Sequence, residues 1–332
     1  MSGFAVSQPD RNLALELARA TEAAALASAR WMGRGEKESA DQAAVNGLRT
    51  ALATIDMAGV VVIGEGEKDE APMLYIGEEV GNGAEPSVDI AVDPVEGTRL
   101  LSNGMPNAIS VVALSERGTM HYPPKIAYME KIATGPEAAD AIDIERSVTE
   151  NIQRVAKAKG MGVRDLTVIL LDRPRHADII AEIRAAGARI RLITDGDVAG
   201  VLMTAMDGTG VDLLVGIGGA PEGTISVCAL KCMGGSMQSR IWPRNDEERA
   251  IVRDEGLDVS KVYSMNDLVS SDNVFFAATG ITDGELLQGV HYSGSGATTE
   301  SLVMRSKSGT IRRIQAMHRL DKLSRYAATR FD

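Results

Sequence analysis

Residues 88–98, "VDIAVDPVEGT", decide how the rest of the chain is read. Positions 88–92 are short and mostly apolar, as expected of a buried strand. Asp93 ends that run, and Pro94, Glu96, Gly97 and Thr98 follow within five residues. The proline fixes φ and stiffens the turn. The glycine lets backbone N–H groups come close to a ligand. The hydroxyl can orient a water. Two carboxylates in such a turn suit a metal ion and an oxyanion held side by side.

Other strands are expected to end the same way. The run 59–67, "GVVVIGEGE", leads into Glu65 and Glu67, with Asp69 just beyond. "LTVILLD" (166–172) is followed by Arg173, Pro174 and Arg175; "RIRLITDGD" (189–197) ends in Asp195, Gly196 and Asp197; "VDLLVGIGGAPEG" (211–223) carries Gly219 and Glu222. Helical runs separate these strands, which predicts a parallel α/β architecture. In open α/β sheets the ligand crevice lies at strand ends. Carboxylates that converge there raise one another's pKa. A divalent cation is the simplest counterweight, and Mg²⁺ or Mn²⁺ takes carboxylate oxygens and water. The chain has four His and two Cys, and only His176 falls in these loops, so zinc is disfavoured.

Upstream, 10–32 reads as one long amphipathic helix, 33–37 breaks it, and a second helix follows over 39–56. A third strand is expected at 108–118, with strand-like runs at 273–280, 299–309 and 310–318. A division of the chain is expected near 160–170. The 332 residues are 44% hydrophobic but only 4% aromatic, so the core must be aliphatic. A net charge of −11 repels a nucleic-acid backbone and argues against DNA or RNA as partner. Small anions are not excluded, because a metal or local basic groups invert the field within a cleft. Cys228 and Cys232, four apart, would share a helix face and read as buried small hydrophobes. No run approaches ~18 apolar residues, so no membrane span is expected. No signal peptide is legible at the start, and the cytoplasm is the expected location.

"DPVEGT" resembles the D-P-x-[DE]-G-[ST] signature of the lithium-sensitive, metal-dependent sugar and inositol phosphatases. "GRGEKESADQAAV" (33–45), "VVIGEGEKDEAPMLY" (61–75), "DRPRH" (172–176), "ITDGDVA" (193–199), "GIGGAPEG" (216–223) and "RSKSGTIRRIQAMH" (305–318) narrow this. In that order they resemble class II fructose-1,6-bisphosphatases of bacteria, over nearly the whole chain.

The resemblance implies a layered α-β-α-β-α sandwich. It implies a metal- and phosphate-binding half, 1–165, and a sugar-phosphate-binding half, 166–332. It implies metal ligands at Asp41, Glu65, Asp93, Glu96 and Glu222 for Mg²⁺ or Mn²⁺. Glu96, Gly97 and Thr98 would meet the scissile phosphate. Tyr128, Arg173 to Arg175, Asp195 to Asp197 and Gly219 would hold the sugar bisphosphate. Thr98 would orient the attacking water, with Asp69 and Lys37 assisting. The implied reaction is hydrolysis of fructose 1,6-bisphosphate in gluconeogenesis, by a homodimer or homotetramer. Activity on sedoheptulose 1,7-bisphosphate, an inositol-type monophosphatase and a non-catalytic sugar-phosphate sensor stand as alternatives.

Overall fold

The computed structural model describes residues 11–66, 73–121, 127–294 and 296–326. Among these, one sheet is built from β1 (Ala58–Ile63), β2 (Glu79–Val80), β3 (Ser87–Glu96) and β4 (Ile109–Glu116). It is completed by β11 (Phe275–Gly280), β12 (His291–Tyr292), β13 (Gly296–Arg305) and β14 (Thr310–Arg319). The second sheet holds β5 (Tyr128–Thr134), β6 (Thr167–Leu171), β7 (Arg189–Ile193), β8 (Leu213–Gly219), β9 (Ser236–Ile241) and β10 (Tyr263–Ser264). The helices are α1 (Ala14–Ser28), α2 (Lys37–Leu52), α3 (Thr98–Ser102), α4 (Val148–Ala158), α5 (Ala177–Ala186), α6 (Asp197–Thr204), α7 (Ala220–Met233), α8 (Asp246–Asp254), α9 (Met265–Leu268) and α10 (Leu320–Tyr326).

These stack as five layers. Helices α1 and α2 cover the outer face of the first sheet, α6 and α7 lie between the sheets, and α4 and α5 cover the second sheet. The expected α-β-α-β-α sandwich is therefore the architecture found. Side-chain alternation shows why. On β4, Val111 and Ala113 pack against the central helices while Val112 and Leu114 pack against the α1/α2 layer. On β11, Phe276 and Ala278 face inward and Phe275 and Ala277 outward. A strand covered on both faces reads as a continuous apolar run. Every residue of α6 is buried, which fits a helix enclosed between sheets. Leu13 and Leu17, four apart, seat α1 on the first sheet, each worth roughly 2 kcal/mol of burial.

The parallel expectation holds only in part. β1 with β3, and β6 with β7 and β8, are parallel; the other named pairs are antiparallel. Apolar runs report burial, not direction, so β5 and β9, which fall between recognisable repeats, were missed together with α4. Nor do the sheets part the chain near 165. β5 joins the second sheet, and the late strands β11 to β14 return to the first. The helix expected over 10–32 is α1 followed by a 3₁₀ turn at Ala29–Trp31, and the one over 39–56 begins earlier and stops at Leu52.

Strand β3 does not stop before Asp93. It continues through Glu96 with a slipped register: Asp93 faces Val111 and Glu96 faces Ile109 on β4. Three steps on one strand match two on the other, which is a bulge of one residue. Residues three apart on a regular strand point to opposite faces. The extra residue restores the phase and lets Asp93 and Glu96 turn to the same side. Pro94, with no N–H to give the ladder, sits where pairing lapses.

Candidate active site

Gly97 follows the bulge in the left-handed region, φ 89°, and caps α3, whose first residue is Thr98. The Thr98 hydroxyl lies 3.1 Å from Asp41 Oδ1, on α2, and 3.2 Å from the Val95 carbonyl. Asp41 is thus joined to a motif 57 residues away. Lys37, exposed at the start of α2, sits one turn before Asp41, and its charge opposes the burial that raises the Asp41 pKa. Glu65 follows β1 and keeps a solvent-accessible face among protein atoms. Burial, then the charge of Asp41, pushes it up to about 7. Burial also pushes Asp93 up to about 8; a hydrogen bond with Glu96 opposes this, and the charges of Glu222, Glu65 and Asp41 add to it. Glu96, 5% exposed, is raised well above the carboxylate range by burial and then by Asp93, Asp197 and Glu222. Its Oε1 accepts the Val198 N–H at 2.9 Å, tying β3 to the start of α6.

Glu222 projects from the first turn of α7. Burial and the charge of Asp197 raise its pKa, and Lys131 lowers it. Its Oε2 is buried without a hydrogen-bond partner. The preceding glycines make room for these acids: a Cβ on Gly219 would lie 1.7 Å from Glu222 Oε2, and one on Gly218 1.9 Å from Asp197 Oδ2.

A cleft of about 350 Å³ brings Glu96, Asp195, Gly196, Asp197, Gly219 and Glu222 together with Tyr128, Arg173, Arg175 and Arg244. Gly196 is left-handed, φ 82°, and caps α6, so the "DGD" acids flank a helix start. Arg175 donates to the Ile217 carbonyl at 2.7 and 3.2 Å and lies 4.9 Å from the Tyr128 ring centre. Arg173 stands 3.7 Å from Asp195. His176 is fully buried, its Nδ1 2.7 Å from the Leu171 carbonyl; its Nε2 accepts the Ile217 N–H at 2.8 Å. Burial lowers its pKa, so it is a neutral brace between strands and no metal ligand. Pro174 lies exposed in the turn Pro174–His176 and outside the cleft lining. Asp69 lies outside the described residues. Cys228 and Cys232 are buried along α7, with burial pushing the Cys232 thiol up to about 12.

Two residues were missed, Arg244 in the cleft lining and Lys131 buried behind it. Arg244 is clamped by Glu248 at 2.6 Å and lies 5.1 Å from the Tyr128 ring centre, giving that ring a second guanidinium neighbour. Lys131, inside β5, pairs with Asp197 at 2.5 Å. Neither stands in a motif; the only signals were the charged pair Glu130–Lys131 inside the mostly apolar run 129–134 and a basic residue beside Trp242 and Pro243 for Arg244.

A family model for bacterial fructose-1,6-bisphosphatase, glpX-encoded, matches residues 11–318. The chain belongs to that family. It is 47% identical over 325 residues to fructose-1,6-bisphosphatase 1 class 2 of Escherichia coli K12, covering 94% of this chain and 96% of that one. The same figures hold for fructose-1,6-bisphosphatase class 2 of Shigella flexneri. Among solved structures, the extragenic suppressor protein SuhB of Bartonella henselae aligns over 59% of this chain and 73% of that chain, at 14% identity and a TM-score of 0.34. A score of that size does not establish a shared fold. No helix among the described residues is long and apolar enough to cross a membrane.

The family implies a divalent metal, and the acids suit one. The donors are all carboxylate oxygens, Glu222 Oε2 is an orphan, and the cluster holds its protons against its own repulsion. Among the described residues no three His, Cys, Asp or Glu close around one point, so these acids share a field rather than a finished coordination shell.

One consequence is a pH dependence. Burial pushes the Asp93 carboxyl from its ordinary 3.8 up to about 8 in the folded chain, and Glu65, more exposed, is pushed in the same direction. Between those limits the folded state binds more protons, so stability falls as pH rises. The metal-free chain is expected to melt progressively lower from pH 5 to pH 8.5, and millimolar Mg²⁺ to flatten the slope. Melting curves in chelator check this; a rising curve contradicts it.

Proposed function

We infer that this chain hydrolyses the 1-phosphate of fructose 1,6-bisphosphate in gluconeogenesis, in the cytoplasm, with Mg²⁺ or Mn²⁺. The observation that carries this is one cleft with an acid cluster and three arginines in the same lining. A monophosphate needs the acids; a second phosphate needs the guanidiniums, which match phosphate oxygens bidentately.

Asp41, Glu65, Asp93, Glu96 and Glu222 would hold the metal. The bound cation supplies charge stabilisation at the phosphoryl oxygens and makes a water more acidic. The protein does the rest by positioning. The Thr98 hydroxyl donates to Asp41, which leaves its lone pairs free to accept from a water aimed at phosphorus. As the water oxygen bonds to phosphorus, the bond from phosphorus to the C1 oxygen breaks; the water's proton passes toward the Thr98–Asp41 pair and the C1 oxygen takes up a proton from solvent. Arg173, Arg175 and Arg244, with Tyr128, grip the distal phosphate. Asp195 and Asp197 accept from sugar hydroxyls. A homodimer or homotetramer rests on the family resemblance, and sedimentation of the full chain tests it.

Phosphate release from fructose 1,6-bisphosphate, with metal and with chelator, is the test. Sedoheptulose 1,7-bisphosphate and inositol 1-phosphate run in parallel. Metal-dependent release, faster from the bisphosphates than from inositol 1-phosphate, is expected; equal rates on inositol 1-phosphate would overturn the reading. Arg244→Gln is expected to raise KM for the bisphosphate about tenfold with kcat within about threefold, the size of one lost charge-assisted contact. An unchanged KM would place Arg244 outside the phosphate grip.

A further inference from the structure

We propose that Lys131 is a positioning residue that fixes the sugar-facing wall of the cleft, by holding Asp197 and the Gly219 turn together. The proposal rests on the reading of the cleft as a sugar-bisphosphate site.

Lys131 lies in the middle of β5, flanked across the sheet by Gly216 on β8 and Ser239 on β9. It is 1% exposed and among the largest of the fully buried side chains. Its Nζ is 2.5 Å from Asp197 Oδ2 and donates to the Gly219 carbonyl at 3.0 Å. One ammonium group thus binds two segments that are distant in sequence, the start of α6 and the end of β8. A Cβ on Gly218 would stand 2.8 Å from Nζ, so the glycine leaves the space the ammonium uses. The next residue after Asp197 is Val198, whose N–H is held by Glu96 from the other sheet. Asp197 is therefore fixed on two sides, by a cation from the second sheet and through its neighbour by an acid from the first.

A buried lysine is retained only with partners, and an apolar replacement of a buried ion pair is often tolerated by the fold. Stability alone does not explain a lysine here. What an apolar side chain cannot do is hold an aspartate at a set distance from a carbonyl. Asp197 must point its free oxygen at a sugar hydroxyl, and an aspartate left without its partner in this setting turns away. The loss falls on substrate binding rather than on the phosphoryl step.

The test uses the full chain with Lys131→Met, which keeps the length of the stem and drops the charge. Lys131→Gln replaces it where the Met variant does not fold, since the amide still donates to Gly219. Kinetics with fructose 1,6-bisphosphate at saturating Mg²⁺ are expected to show KM raised at least tenfold and kcat within threefold. A folded variant with both constants within twofold of wild type overturns the proposal, as does a kcat loss with unchanged KM. Amide hydrogen exchange gives a readout that needs no substrate. Residues 195–200 and 216–222 are expected to exchange at least tenfold faster in the variant, with the strands of the first sheet unchanged. Equal protection in both segments overturns the proposal whatever the substrate is. A wild-type chain inactive on the bisphosphate overturns the reading of the reaction instead, so the two failures are told apart.

Discussion

Asp93→Asn is expected to cut metal-dependent phosphate release by about 10³-fold and, in the same protein stripped of metal, to raise the melting temperature by about 5 °C at pH 8.5. The two effects have one origin. Burial and the charges of Glu222, Glu65 and Asp41 make ionised Asp93 unwelcome in the folded chain, against the pull of its hydrogen bond with Glu96. Above about pH 8 the carboxylate is ionised in both states and the folded state carries the whole penalty. Asparagine removes the charge and keeps an oxygen to accept the Val95 N–H, which lies 3.1 Å from Asp93 Oδ1. The local turn survives while the repulsion goes. The same charge is what a dication needs. Phosphate release and melting in chelator, measured on one preparation, check both signs. A variant that melts lower than wild type at pH 8.5 would show that Asp93 is held by something other than its neighbours' field.

Thr98→Ala is expected to lower kcat by about 10²–10³ while KM for the bisphosphate stays within about threefold, and Thr98→Ser to recover most of the loss. Thr98 touches Asp41 and a backbone carbonyl, and it lies outside the lining of the arginine-bearing cleft, so its removal spares the groups proposed to grip the substrate. What is lost is the link to Asp41 and, with it, the acceptor proposed for the attacking water. An alanine variant with normal turnover would remove Thr98 from the reaction. Asp41 would be affected as well: the Thr98 hydrogen bond lowers its pKa against burial, so the alanine variant should shift the acid limb of the rate profile upward.

The acid-ended strands were legible because a carboxylate after an apolar run breaks a local pattern. Glu65, Asp93, Glu96, Asp195 and Glu222 were all visible this way. Asp41 was not, since an acid in the first turns of a helix is ordinary, and only the family likeness singled it out. The bulge at Asp93 was illegible because register is a property of two strands, and β4 starts only at Ile109. Lys131 escaped for a related reason. A lysine beside Glu130 in a strand has no evident meaning until Asp197, 66 positions away, is seen beside it. Sheet membership was the least legible of all: nothing local in residues 275–305 says that they pair beside β4.

That return of the chain carries a consequence for how the protein is made. Every described candidate residue lies between Lys37 and Arg244, yet the sheet carrying Asp93 and Glu96 is closed by β11 against β4 and by β13 against β11. A ribosome has released the whole set of acids and arginines before the strands that back them exist. Until these late strands have emerged, the edge of β4 that β11 pairs stands open and the first sheet is unfinished beside the acids. Chains interrupted between 244 and 275 would carry a full chemical inventory and no working cleft. Assembly late in synthesis makes this a site that nascent chains cannot use early, and it places the main aggregation hazard in the last fifth of translation.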